Sequence, residues 1–293
     1  MKPHSPSPFT LGVIQMRMQP DIATNLAHAL SLLDAAAAKG VEVALLPELF
    51  NAQYFCQKLD PAYMDIAEPI PGKTTDVLAA KAKQHNMVII APLYERAAAG
   101  LYYNSAAVLD ADGTLKGVYR KMHIPHDPLF EEKYYFAPGD TGFMAFDTRY
   151  GRIGVLICWD QWFPEAARAT ALLGADVLLY PTAIGWHPAE KAAFGADQVT
   201  AWRTAQRAHA IANGVYVAAA NRIGHEIISG DGLEFFGHSF VYDPFGRELA
   251  SLDERAEGVL TALIDPRAIE DTRRNWPFRR DRRVDAYQGL LKK

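Results

Sequence analysis

The sequence predicts a layered α/β domain in which mixed sheets pack face to face beneath covering helices. Three observations carry this reading. Apolar runs of strand length alternate with Ala/Leu-rich helical stretches along most of the 293 residues. Some strands are joined by tight turns instead of helices, which argues against a purely parallel, doubly wound sheet. No linker, low-complexity block or shift of composition interrupts the rhythm, so residues 1–293 are expected to form one domain, and 49% hydrophobic content is enough for a large core.

The elements follow in order. Residues 9–16 read as a buried strand, followed by Asp21 as N-cap of a helix running to Lys39, with Gly40 as its stop. Leu26, Leu30 and Leu33 recur at helical spacing and mark its buried face. Residues 41–46 are the next strand and complete a βαβ unit. A helix over 75–85 leads to a strand over 87–93, and strands 102–109 and 114–119 form a hairpin around Ala111-Asp112-Gly113. A third cycle comprises strand 152–157, helix 165–173 and strand 176–180. A fourth comprises helix 198–213, Gly214 and strand 215–220. Strands at 239–242 and 258–264 flank the turn at 243–246, and residues 265–293 form a polar tail.

Charge and composition narrow the function classes. A formal net charge of −4, from 30 basic and 34 acidic side chains, gives no global attraction to nucleic acid or an anionic membrane, so the default partner is a small molecule. No run approaches the roughly 18 apolar residues of a membrane span. The opening Met1-Lys2-Pro3-His4-Ser5-Pro6 lacks a signal-peptide core, and a cytoplasmic location is expected. Cys56 and Cys158 stand in unlike contexts, which argues against a disulfide and fits a reducing compartment. No glycine-rich phosphate motif occurs. Pro125 separates His123 from His126 and no H-E-x-x-H or C-x-x-C is present, so no metal is expected. The tail mixes six arginines with aromatics over 271–287, but interspersed aspartates favour salt bridging between subunits over nucleic-acid binding.

Three polar residues stand at the ends of apolar strands. Cys158 closes Gly151-Arg-Ile-Gly-Val-Leu-Ile-Cys158, and Pro164 opens a helix shortly after. Such an elbow exposes a sulfur where ligands gather in α/β folds, and the backbone N–H groups beyond it are placed to lower the thiol pKa and hold an oxyanion. Taken alone, a strand cysteine is more often a small buried hydrophobe. Glu48 ends Ala44-Leu-Leu-Pro-Glu48, where it can take a thiol proton and pass it on, or simply pair with a neighbouring base. Lys121 ends Val118-Tyr-Arg-Lys121, where its ammonium can stabilise a tetrahedral intermediate, although a lone lysine is usually a solvated surface group.

Together, P-E-L-F at 47–50, Y-R-K-M-H-I-P at 119–125 and C-W-D-Q-W-F-P-E at 158–165 resemble the glutamate, lysine and cysteine boxes of the nitrilase superfamily of carbon-nitrogen hydrolases. Asn221-Arg-Ile-Gly224 and residues 237–246 are similar to further family segments. The resemblance implies a four-layer α-β-β-α sandwich, assembly as a homodimer or larger homo-oligomer, and no metal or organic cofactor. It also implies a second glutamate, matched by Glu132 before Lys133-Tyr-Tyr-Phe136. The implied reaction is attack of Cys158 on an amide or ureide carbon, with Glu48 as base, Lys121 and the Trp159 N–H on the oxyanion, and Glu132 orienting Lys121.

Residues 50–55, 123–130 and 181–185 look most like a branch acting on carbamoylated diamines. The far end of such a substrate is an ammonium, for which Tyr54, Trp159, Asp127, Glu131 and Glu190 are the candidate acidic and aromatic partners. Gly185-Trp186-His187-Pro188 departs from the Gly-Ser-Glu-Pro of that branch and removes an acidic group. N-carbamoyl-β-alanine or an ω-amide is the alternative substrate, and either needs an arginine in the pocket. A silent binding module of the same fold is the non-enzymatic alternative.

Overall fold

The computed structural model describes residues 7–292. The segment Met1 to Pro6, read above for a signal peptide, lies outside the described residues. The chain begins with β1 (Phe9–Gln15), α1 (Ile22–Ala38), β2 (Val43–Leu45), α2 (Lys73–His85) and the meander β3 (Val88–Ala98), β4 (Leu101–Leu109), β5 (Leu115–Arg120). After a single turn, α3 (Glu132–Tyr135), come β6 (Ala145–Asp147), β7 (Arg152–Val155), α4 (Pro164–Leu172), β8 (Val177–Thr182) and β9 (Gly185–Trp186). The long α5 (Pro188–Asn213) precedes β10 (Tyr216–Asn221), β11 (Ile223–Glu226), β12 (Leu233–Phe236) and β13 (Phe240–Tyr242). Strands β14 (Glu248–Ser251) and β15 (Gly258–Ile264) and helix α6 (Pro266–Asn275) follow.

Two six-stranded sheets result, ordered β15-β1-β2-β3-β4-β5 and β14-β13-β10-β8-β7-β6, with a three-stranded ribbon β11-β12-β9 beside them. The period-two alternation of apolar residues makes the layers. In the first sheet Leu11, Val13, Val43, Leu45, Val88 and Ile90 pack in one core with Ile153, Val155, Val177 and Leu179 of the second. Their neighbours Ala44, Leu46, Ile89 and Ala91 point the other way, onto Leu33 and Ala36 of α1 and Leu78 and Ala82 of α2. Leu26 and Leu30 pack against the same cluster, so the leucine stripe is core. Helices α4 and α5 cover the outer face of the second sheet through Ala166, Ala171, Trp202 and Ala210. The architecture is the expected α-β-β-α sandwich. Close contact at β7 depends on Gly154, where a Cβ would stand 2.5 Å from Thr170 of α4 and 2.9 Å from Leu178.

The helix ends obey local chemistry. The Asp21 carboxylate accepts from Thr24 N at 2.7 Å, and α5 ends at Gly214 in the left-handed region with φ 56°. Two predicted elements need correction. The helix expected over 198–213 begins ten residues earlier, because Pro188 occupies its first position, where no N–H is needed. The tail is not merely polar: Asp265 caps α6, and Val284–Leu291 forms 3₁₀ turns. Three of its arginines pair within the segment, Arg274 with Glu270, Arg280 with Asp281 and Arg283 with Asp285. Among the described residues no helix is long and apolar enough to cross a membrane.

Candidate active site

Strands β1, β2 and β3 run parallel, as does β5 two places further on, and so do β7, β8 and β10 in the other sheet. Glu48, Lys121 and Cys158 follow β2, β5 and β7, so each leaves the carboxyl end of a strand, where α/β folds collect their ligands. Lys121 is wholly buried, and its Nζ donates to Glu48 Oε1 at 2.8 Å and to Glu132 Oε2 at 2.6 Å. Asn104 Nδ2 donates to the same Glu48 oxygen at 2.7 Å. The Tyr54 hydroxyl donates to Glu132 Oε1 at 2.6 Å. Both oxygens of Glu132 are therefore engaged, whereas Glu48 Oε2 is buried without a partner.

Electrostatics follow from this packing. Burial opposes the Lys121 ammonium, but Glu132 and Glu48 outweigh it and hold its pKa well above the usual lysine value. Burial and the charge of Glu48 raise Glu132 to about 7 against the pull of Lys121. Cys158 contradicts the sequence expectation of a lowered thiol pKa. Burial, then Glu48, push it well above its ordinary value, and Lys121 offsets only part.

Cys158 sits at φ 43°, a left-handed conformation uncommon for a residue with a Cβ, at the first position of the 3₁₀ turn Cys158–Trp162. Asp160 holds that elbow. Its buried carboxylate accepts from Ile157 N at 2.9 Å, Tyr119 Oη at 2.8 Å and His123 N at 3.0 Å, and lies 2.7 Å from His123 Nδ1. The His123 ring stacks on Phe163 at 3.7 Å. His126 faces Glu131 at 3.2 Å instead. Among the described residues no group of three metal-ligating side chains occurs.

Arg222 builds the Glu48 loop. From the end of β10 its buried guanidinium donates to the carbonyls of Glu48 at 2.7 Å, Leu49 at 3.0 Å and Ala52 at 3.1 Å, and pairs with Glu226 at 2.9 Å. Glu226 in turn accepts from Tyr54 N at 2.6 Å. Sequence reading missed Asn104, Arg222 and Glu226 as parts of the site. The available signal was charge and amide groups next to apolar strands, where each must find a partner.

A cavity of about 660 Å³ opens over Cys158. Glu132, Trp159, Gln161 and Trp162 form its inner wall, Phe130 and Phe236 its apolar sides, and Asp127, His187, Glu190 and Gln198 its more open part. Among the described residues no lysine or arginine lines it. Of the residues expected to read the substrate, Asp127, Trp159 and Glu190 face this space. Tyr54 and Glu131 are not among its lining residues: the first is engaged behind Glu132 and the second with His126. Cys56 is also outside it, fully buried among Phe55, Tyr94, Tyr135 and Phe136, and burial pushes its thiol pKa up.

The chain belongs to the carbon-nitrogen hydrolase family, whose model matches residues 10–274, and it is an amidohydrolase of the nitrilase superfamily. It is 46% identical over 287 residues to N-carbamoylputrescine amidase of Solanum lycopersicum, covering 96% of this chain and 94% of that protein. A citrullinase of Francisella tularensis is 39% identical, with 97% and 98% covered. The crystal structure of a carbon-nitrogen hydrolase from Helicobacter pylori superposes with a TM-score of 0.94 at 43% identity, over 98% of this chain and 99% of that one.

Proposed function

We propose that Glu48, Lys121 and Cys158 form a catalytic triad, supported by Glu132, that hydrolyses N-carbamoylputrescine to putrescine, carbon dioxide and ammonia. The observation that carries the substrate reading is the cavity's charge: Asp127, Glu132 and Glu190 line it without any described lysine or arginine, which suits a substrate ending in an ammonium. N-carbamoyl-β-alanine and ω-amides of dicarboxylic acids end in a carboxylate and find no cation there. The identity to N-carbamoylputrescine amidases supports the same substrate.

In this mechanism the unpartnered Oε2 of Glu48 takes the Cys158 proton, and the thiolate adds to the ureido carbon. Lys121 and the Trp159 N–H stabilise the oxyanion; one such donor is typically worth about 3 kcal/mol. Glu48 then protonates the departing amine. Water, deprotonated by Glu48, cleaves the S-carbamoyl intermediate, and the resulting carbamate loses carbon dioxide. Glu132 keeps Lys121 charged and in place.

The whole chain is read as one cytoplasmic domain that assembles into a homo-oligomer through residues 265–293. Exposed Trp276, Phe278, Val284 and Leu290 support that interface. Ammonia release from N-carbamoylputrescine and N-carbamoyl-β-alanine, with wild type and Cys158→Ala side by side, tests the catalytic reading. Equal rates on the two ureides overturn the substrate, and substantial turnover by Cys158→Ala overturns the nucleophile.

A further inference from the structure

Glu48 and Lys121 leave strands of the first sheet and Cys158 a strand of the second, so the proposed base and nucleophile face each other across the join between two sheets. The sheets meet through apolar side chains such as Val13, Leu45, Val155 and Leu179. Burial of that kind is non-directional. It holds the layers together but tolerates a slide, whereas a misplacement of about 1 Å at a reacting centre can cost about a hundredfold in rate. A directional tie between the two strand ends is needed, and the Asp160 carboxylate supplies one.

Asp160 is wholly buried two residues beyond Cys158, and each of its carboxylate oxygens faces two donors. A local cap on the 3₁₀ turn would need only the Ile157 N–H, which donates to Oδ2 at 2.9 Å. The other three donors come from the lysine segment: Tyr119 Oη on Oδ2 at 2.8 Å, and His123 N and Nδ1 on Oδ1 at 3.0 and 2.7 Å. Facing a carboxylate, that ring nitrogen is the donor. Tyr119 and His123 stand two residues either side of Lys121, whose own N–H continues the strand ladder to Asn104 O at 2.8 Å. The His123 ring also lies on Phe163 of the elbow, within 7° of parallel. Phe163 N in turn donates to Asp160 O at 3.2 Å.

Two residues at the site carry left-handed backbones, Leu49 at φ 48°, directly after Glu48, and Cys158 at φ 43°. Such conformations persist where their surroundings over-determine them. Both are gripped by a buried charge: Arg222 holds the Leu49 carbonyl at 3.0 Å, and Asp160 holds the turn that Cys158 opens. Asp160 is not among the residues lining the cavity. Resting on the triad reading above, we propose that Asp160 is a positioning residue for the attack on substrate. It pins the Cys158 elbow of one sheet to the Lys121 segment of the other, and so sets where the thiolate stands relative to the ammonium that meets the oxyanion. In this role it touches no substrate and moves no proton.

The test measures kcat and KM, on the better substrate of the two ureides above, for Asp160→Asn, Tyr119→Phe, His123→Leu and His123→Asn in the full chain. Urea unfolding first establishes that each variant is fully folded under assay conditions. Asp160→Asn turns an NH2 toward two donors and should lose about a hundredfold in kcat. Tyr119→Phe should lose about tenfold, the scale of one hydrogen bond to a charged oxygen. KM should move by less than about twofold in both, because no group lining the cavity has changed. His123→Asn, whose side-chain amide can donate in place of Nδ1, should lose several-fold less than His123→Leu. If Asp160→Asn does not fold, Tyr119→Phe and the two His123 variants decide the matter. Folded variants that are less stable yet keep the wild-type kcat make Asp160 purely structural and overturn the proposal, as does an equal loss in His123→Asn and His123→Leu. Either result leaves the triad reading standing while Cys158→Ala is inactive; turnover by Cys158→Ala sinks that reading whatever these variants do.

Discussion

Arg222 Nη2 donates to the backbone carbonyl of Glu48 at 2.7 Å, so a fully buried cation from one sheet fixes the loop that leaves the other. The Glu48 carboxylate is therefore only as well placed as the charge pair beneath it.

Arg222→Met leaves Glu226 buried and unpaired and frees three loop carbonyls. Breaking one partner of a buried pair costs about 3–5 kcal/mol. Urea unfolding should report a loss of that order. Adding Glu226→Gln, which removes the stranded charge but keeps an acceptor for Tyr54 N, should recover part of the stability without restoring full activity.

If the proposed mechanism holds, the acidic limb of the pH profile should follow Glu132, which pairs with Lys121. With Glu132 raised to about 7, lowering the pH through that value protonates Glu132 and weakens its hold on Lys121. We expect kcat/KM to fall as pH drops through about 7, in a profile measured from pH 5 to 9. Glu132→Gln should lose that limb and run at a lower plateau throughout.

Tyr54→Phe removes the hydrogen bond to Glu132 Oε1, which favours the ionised carboxylate. Its loss raises the carboxyl pKa further, so the acidic limb should move to higher pH. A fall in kcat of about tenfold, the scale of one charge-assisted hydrogen bond, with a smaller change in KM, is the expected kinetic signature.

Iodoacetamide should separate the two cysteines. Cys158 opens on the cavity and Cys56 is enclosed by aromatic rings, so peptide mass mapping at neutral pH should find label on Cys158 alone. Glu48→Gln removes a charge that raises the thiol, so slower labelling in that variant would show that loss of the proposed base outweighs that effect. Equal labelling of Cys56 would contradict the burial described above.

Much of this arrangement was legible in the amino-acid sequence, and the reason is local. Glu48, Lys121 and Cys158 each follow an apolar strand, and their segments carry family-like motifs, so position and chemistry were readable together. Asn104 lies inside β4, where an amide among apolar residues announces burial but not its partner. Arg222 and Glu226 are four residues apart, yet their joint purpose depends on a loop more than 170 residues away in sequence. The start of α5 was obscured because Gly185-Trp186-His187-Pro188 drew attention as a substrate segment, although Pro188 was also a helix-start signal. For Cys158, local backbone polarity argued for a lowered thiol pKa; the burial that reversed it comes from tertiary packing.

The seven-residue antiparallel pairing of β1 with β15 joins Phe9 to Ile264 and Gln15 to Gly258. During synthesis, β1 leaves the ribosome first among these strands, yet it waits for some 240 further residues before that edge is covered. Until then the nascent chain exposes backbone groups along a hydrophobic strand, a template for pairing with other chains. Assembly of the sheet that bears Glu48 and Lys121 is thus a late, non-local event, a topology that tends to fold slowly.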